Sequence, residues 1–241
     1  MKSGSNAEYT VFWGDAVTCP VSIKKPEFQG WMEQFVAANS LRQLVYLKQE
    51  HLATGLIIDQ PVQASTPKTI APALEVDAYE GDYLITNQPG IGIGVVTADC
   101  LPIVYFDPVR KVVAVAHAGW KGTVAGIATN VVQALQKRFG TDPAHLQITF
   151  GPHARTCCYE VQPDFLVHIP ERLLPHVFVK RGDTIYFSSA IYNRLELVRM
   201  GVQVASIDDP FSCTICDELY HSRRRCGAEY VGQSTIVWLT R

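Results

Sequence analysis

Cys100, His117 and His51 are the residues of this chain whose types and positions could do chemistry together. Each stands where an apolar run meets a loop. Cys100 lies just ahead of Leu101-Pro102-Ile103-Val104-Tyr105-Phe106, His117 ends the valine-rich run from Lys111 to Ala116, and His51 follows the loosely alternating stretch from Leu41 to Gln49. Loops at strand ends are where binding and catalytic groups concentrate. Two imidazoles and one thiolate make a zinc set with the fourth tetrahedral position open, the arrangement of a catalytic rather than a structural ion. The same pair of types also allows a metal-free alternative, in which His117 activates a Cys100 thiolate for acyl or amide chemistry. Taken singly, a cysteine ahead of an apolar strand is a small buried hydrophobe and a lone histidine a hydrogen-bonded core group. The functional reading therefore depends on all three converging.

Convergence is the task of the elements between them. Val95-Val96-Thr97, Leu101 to Phe106 and Lys111 to Ala116 read as buried strands, with Asp107-Pro108 as the turn of a hairpin joining the last two. Ala118-Gly119-Trp120-Lys121-Gly122 follows as a loop whose glycines permit close backbone approach. From Thr123 to Phe139, Val124, Ile127, Val131, Val132 and Leu135 recur at helical spacing, Lys137 and Arg138 suit the last turn, and Gly140 suits the stop. Further strands are expected at Tyr9 to Trp13, Gly55 to Asp59, Gly81 to Thr86, Leu146 to Phe150, Val202 to Ile207 and Ser234 to Leu239. Pro26 to Asn39 reads as a short helix, and Ser188 or Ser189 as the cap of another that runs through Met200 to Gly201. The stretch from Gln60 to Ala78, with its prolines and small polar residues, reads as a surface loop. The alternating glycines Gly90, Gly92 and Gly94 run into a strand rather than a helix, which argues against a nucleotide fingerprint. Strands succeed one another without helices between them, so the expected class is α+β rather than a regularly alternating parallel sheet.

With 241 residues, 47% of them hydrophobic and 18% charged, the chain can bury a large core, and we expect a single domain over 1–241. A formal net charge of -2 gives no basic excess for nucleic acid or an anionic membrane. The polar start and the lack of an apolar run near the ~18 residues of a membrane span predict a soluble protein without a cleaved signal. Seven cysteines, an odd number without dense spacing, fit a reducing cytoplasm. Cys213-x-x-Cys216 has redox or zinc-knuckle spacing, but the sequence offers no second pair at a matching distance, so it reads as structural or incidental. Adjacent Cys157 and Cys158 are poorly placed to bridge to each other.

Thr97-Ala98-Asp99-Cys100, His117-Ala118-Gly119-Trp120, Gly151-Pro152 with Cys158-Tyr159-Glu160-Val161, and Cys213-Thr214 with Ser222 and Arg224-Arg225 occur in an order that resembles the YfiH-like family. These laccase-domain or polyphenol oxidase-like proteins have been assigned purine nucleoside phosphorylase and adenosine deaminase activity. The resemblance runs from about Leu47 to the C-terminus. It implies a mixed β-sheet core flanked by helices, and a metal held by the histidine of Gln49-Glu50-His51, by Cys100 and by His117. Two departures stand out: Leu52 replaces the glycine usual after the first ligand, and Gly232-Gln233 replaces the usual Gly-Arg before the last strand. The N-terminal fifty residues also lack the expected glycine-rich and asparagine-containing segments.

Zinc is the implied ion, with copper the alternative. An ion in this set lowers the pKa of a coordinated water toward neutrality, which suits attack on C6 of adenine. Phosphorolysis instead needs a phosphate near C1' and stabilisation of a cationic sugar-like transition state. Arg224 and Arg225 are the candidates for that phosphate, since a guanidinium offers a planar fork to an oxyanion. Asp82 and Glu160 are candidate acid-base or orienting groups, and Trp120 and Tyr159 candidate stacking partners for a base. Expected substrates are thus a purine nucleoside, of the adenosine, inosine, guanosine or methylthioadenosine type, and phosphate. Relatives implicated in editing peptidoglycan precursors support the cysteine-histidine hydrolase alternative. Multicopper oxidation is the weaker option, because the seven histidines include no His-x-His pair for a second copper cluster.

Overall fold

The computed structural model describes residues 3–5, 8–19, 25–60 and 80–240. Its centre is the expected hairpin, Leu101–Asp107 against Val112–Ala118, paired antiparallel from Leu101↔Ala118 to Asp107↔Val112. All residues of both strands are buried. The reason is that each face of the hairpin meets a different layer. Ile103, Tyr105, Ala114 and Ala116 pack with Ile127, Val131, Leu135 and Leu197 of the helices Ile127–Phe139 and Ser189–Arg199. Val104, Phe106, Val113 and Val115, one residue out of phase and so on the opposite face, pack with Val11, Ile93, Val95 and Val237 of a second sheet.

The hairpin belongs to a six-stranded sheet, in the spatial order Ile207–Asp208, Gln147–Phe150, Leu101–Asp107, Val112–Ala118, Tyr83–Thr86, Gly55–Ile58. Its outer pairs are parallel and its inner pairs antiparallel. A five-stranded sheet built on Tyr9–Trp13, Gln233–Leu239, Ile91–Thr97 and Gln43–Val45, with Ser3–Ser5 at its edge, covers the other face. The helix Glu27–Ala38 closes the outside of that sheet through Phe28, Met32 and Val36 against Leu44, Ile236 and Trp238. The α+β class and the mixed sheets flanked by helices are as expected. No described helix is long and apolar enough to cross a membrane.

Two expectations need correction. The helix expected from Thr123 begins at Trp120 and is interrupted: Trp120–Val124 and Ile127–Phe139 are separate, with Gly126 between them at φ 84° and ψ 31°, a left-handed conformation that only glycine adopts cheaply. Val202 to Ile207 is not a continuous strand. Gln203, Val204 and Ala205 are exposed, Val204–Ser206 is a 3-10 turn, and only Ile207–Asp208 pairs with the sheet. The sequence reading also missed a hairpin of Phe178–Arg181 and Thr184–Phe187, which forms a small sheet with Glu160–Val161. Most of its residues are exposed or half-buried, so it carries little apolar alternation. The loop expected between Gln60 and Ala78 falls at 61–79, outside the described residues.

Candidate metal centre

Strand register brings His51, Cys100 and His117 together. Pairing of Leu101 with Ala118 puts the start of one strand beside the end of the next, so Cys100 and His117 emerge at the same edge. Tyr83 pairs with Ala116 and Gly55 with Tyr83, so the residues entering those strands, His51 and Asp82 among them, reach that edge too. The ligating atoms of His51, Cys100 and His117 all lie within 4.8 Å of one another, and Cys100 Sγ stands 3.8 Å from His51 Nε2. Around one tetrahedral zinc, the same atoms would stand about 3.3 to 3.6 Å apart, so an ion would draw them slightly together. The donor set and its spread fit a single ion.

Asp82 organises two of the three. Its buried carboxylate accepts the backbone N–H groups of Glu50 at 3.2 Å, His51 at 3.1 Å and Leu52 at 2.6 Å. These bonds hold His51 at φ 60°, a left-handed backbone rare outside glycine. The same carboxylate lies 2.7 Å from His117 Nδ1, which leaves Nε2 as the ring nitrogen that faces Cys100. Burial opposes charge on Cys100, but the charge and hydrogen bond of His117, and then those of His51, outweigh it and bring the thiol down to about 6. Burial likewise opposes charge on His117, yet the Cys100 thiolate and Asp82 raise it to about 9. Without metal the pair is therefore thiolate and imidazolium. Gly119 completes the centre by its bareness: a Cβ there would sit 2.5 Å from His51 Cδ2 and 3.3 Å from Cys100 Sγ.

Asp99 ties the C-terminal motifs to this point. It adopts φ 83° and accepts Thr214 Oγ1 at 2.7 Å, Ser222 Oγ at 3.1 Å and the Arg224 backbone N–H at 2.7 Å. The sequence reading gave Asp99 no role. The available signal was an acid next to a candidate ligand, but its partners stand more than a hundred positions away.

A cleft of about 590 Å³ opens over His51 and Cys100, with His117 buried behind them, and its volume is within the range of small-molecule sites. Trp120, Lys121, Tyr159, Arg223 and Arg224 join His51 and Cys100 on its walls. Of the predicted residues, Arg224 thus reaches the cleft. Arg225 does not: its guanidinium donates to the carbonyls of Thr214, Ile215 and Tyr220. Glu160 lines an adjoining hollow of about 380 Å³ that shares Trp120, Tyr159 and Arg224, and its carbonyl accepts from Arg224 Nη2. Asp82 is fully buried behind the ligands. Lys121 and Arg223, which sequence reasoning did not single out, both neighbour residues that it did. Gln233 is buried and accepts the His221 N–H, a structural position on the final strand.

This fold and this cluster define a class. The chain belongs to the family described as multi-copper polyphenol oxidoreductase laccase, whose model matches residues 29–240 and so begins ahead of the Leu47 limit expected from the motifs. Among particular proteins, it is 33% identical over 154 residues to a purine nucleoside phosphorylase of Borreliella burgdorferi, covering 62% of this chain and 66% of that one, just under two thirds. It is 35% identical over 197 residues to adenosine deaminase RL5 of an unknown prokaryotic organism, covering 78% of this chain and 71% of that protein. The crystal structure of the hypothetical protein YfiH of Bacillus licheniformis has the same fold, with a TM-score of 0.82 at 22% identity over 96% of this chain and 93% of that one.

Proposed function

We propose that this chain is a zinc-dependent purine nucleoside enzyme that cleaves nucleosides by phosphorolysis and deaminates adenosine at the same site. One observation carries the reading: a His2Cys donor set meets a cleft through His51 and Cys100, with His117 buried behind them, and the cleft is walled by two aromatic rings and three cations, Lys121, Arg223 and Arg224. The rings suit a purine and the cations suit phosphate. Sequence relatives named purine nucleoside phosphorylase and adenosine deaminase support the two activities.

In phosphorolysis a phosphate oxygen forms a bond to C1' while the bond from C1' to the base nitrogen breaks, and its electron pair leaves with the base. Arg224 and Lys121 are assigned to hold the phosphate. Trp120 and Tyr159 are assigned to the base, with the ring of Tyr159 backed by the Arg224 guanidinium at 5.7 Å. Bound between His51, Cys100 and His117, zinc, or copper in its place, supplies a Lewis acid at the cleft floor. Asp82 keeps the His117 proton on Nδ1, and so keeps Nε2 free to face the cluster. The reading assigns Glu160 an orienting part at the cleft rim and Arg225 a structural one. The seven unbridged cysteines suit a cytoplasmic setting.

The thiolate-imidazolium pair supports a second reading, a cysteine hydrolase acting on peptidoglycan precursors without metal. Product analysis separates the two. Adenosine incubated with phosphate should give adenine and ribose 1-phosphate, and without phosphate inosine. Both products should vanish in Cys100→Ala and on removal of metal by a chelator. Turnover of adenosine that survives metal removal would overturn the metal-dependent reading. No turnover of any nucleoside, with hydrolysis of muropeptides instead, would establish the second.

A further inference from the structure

We infer that Cys157, Cys158, Cys213 and Cys216 form a second metal site, a closed tetrathiolate for zinc that is separate from the catalytic cleft. Their four sulfurs lie within 4.8 Å of one another. Cys216 Sγ stands 2.8 Å from Cys158 Sγ and 3.4 Å from Cys157 Sγ. The edge of a zinc tetrathiolate is about 3.8 Å, so these two edges are short and an ion would spread the sulfurs to reach that tetrahedron. A disulfide would use two of these sulfurs and leave the convergence of the other two without a reason.

The backbone supports the same reading. Each cysteine pair rides on a tight turn: the Cys158 and Tyr159 N–H groups both donate to Arg155 O, and the Asp217 N–H to Cys213 O. An isolated parallel bridge, His153 with Cys213, sets the turns face to face. Cys213 Sγ accepts the Arg155 N–H at 3.4 Å and also those of Ile215 and Cys216. Such converging N–H groups stabilise a negatively charged sulfur, which is the form that ligates metal. The sequence found no second pair for Cys213-x-x-Cys216; the fold supplies one in the adjacent Cys157-Cys158.

Four protein ligands leave no open position, so this site is structural. An ion there ties the segment that carries Tyr159 and Glu160 to the segment whose Thr214 grips Asp99. It fixes one wall of the cleft, and the inference does not depend on which substrate the cleft takes.

The test starts from Cys100→Ala protein made in a reducing cytosol and purified without chelator. Metal analysis should find one zinc per chain, and Cys213→Ser added to that background should remove it. Cobalt offered to the metal-free Cys100→Ala protein should give thiolate-to-cobalt charge transfer and the red absorption of a tetrahedral ion. The unmutated protein supplies a check independent of any folding defect. Alkylation read by mass spectrometry should label exposed Cys226 at once and the four clustered cysteines only after an organomercurial displaces the zinc. Equal labelling of all these thiols, or a Cys158 to Cys216 disulfide in the protein as purified, would overturn the inference.

Discussion

The His51–Cys100–His117 cluster and the four-cysteine cluster both gather sulfur and nitrogen donors from distant parts of the chain, but they are built in opposite ways. The first is assembled by sheet register. Its ligands leave three strand ends at one edge, and a buried carboxylate, Asp82, holds two of them. The second is assembled by two surface turns, and one of its sulfurs, that of Cys213, is held by backbone N–H groups. The first has three protein donors, two of which line a cleft; the second has four. An open coordination position on a rigid sheet suits chemistry, and a closed one between loops suits fastening.

The sharpest way to break that contrast is to damage each cluster by one sulfur. Cys100→Ala should abolish nucleoside turnover while leaving the circular dichroism spectrum that of the parent. Cys213→Ser should do the reverse, retaining measurable turnover with a raised KM and a lowered melting temperature. If Cys213→Ser instead lost kcat with KM unchanged, the two clusters would not divide the work as argued.

Asp82→Asn comes next. The substitution keeps the shape but loses the charge that faces His117, and it turns an NH2 toward backbone N–H groups that now donate to the carboxylate. Loss of a carboxylate that orients a ligating histidine costs about 10- to 100-fold in metal affinity. Competition against a fluorescent chelator should show that loss for the three-ligand centre. The cysteine site, which has no such carboxylate, should keep its zinc in the same protein.

Much of this centre was legible in the sequence because it hangs on strong local signals. Residues 101–106 and 112–116 are continuously apolar, as a strand buried on both faces must be; the ligands then fall at their ends. What was illegible depends on distance or on backbone conformation. Asp99 is locally an ordinary acid, and its importance comes from φ 83° and from partners at Thr214, Ser222 and Arg224. Gly126 falls inside the stretch expected to be one helix, and its left-handed backbone ends one helix and starts another. The cysteine cluster escaped notice because neither pair has a partner until the His153–Cys213 bridge forms.

The pH response separates the centres further. In the metal-free protein Cys100 titrates at about 6 and His117 at about 9, so between those values the pair is already thiolate and imidazolium. Metal must then displace one proton, from His117. Affinity should rise about tenfold per pH unit across this window, steepen below it where the thiol is also protonated, and level off above it. Folding stability behaves differently. The lowered Cys100 value adds stability that is lost as pH falls through about 6, and the raised His117 value adds stability that is lost as pH rises through about 9. Between the ordinary histidine value and about 9, the two contributions have opposite slopes and cancel. Chelator competition across this range should therefore slope while the chemical denaturation of metal-free protein attributable to the pair stays flat.

The smallest effects concern two neighbours, Arg224 and Arg225. They are equivalent in sequence, yet Arg224 turns into the cleft beside Tyr159, while Arg225 spends its guanidinium on the carbonyls of Thr214, Ile215 and Tyr220. Arg225 therefore braces the loop that carries Cys213 and Cys216, whereas Arg224 lines the cleft. Arg224→Ala should raise KM for phosphate severalfold with little change in melting temperature. Arg225→Ala should cost about 1 to 2 kcal/mol of stability, because three carbonyls lose a charged donor, and should affect KM less. Arg225→Lys should not restore it fully, since an ammonium cannot reproduce the planar fork that reaches three acceptors at once. A matching rise in phosphate KM for both alanine variants would place both arginines at the cleft and remove the distinction between a binding cation and a bracing one.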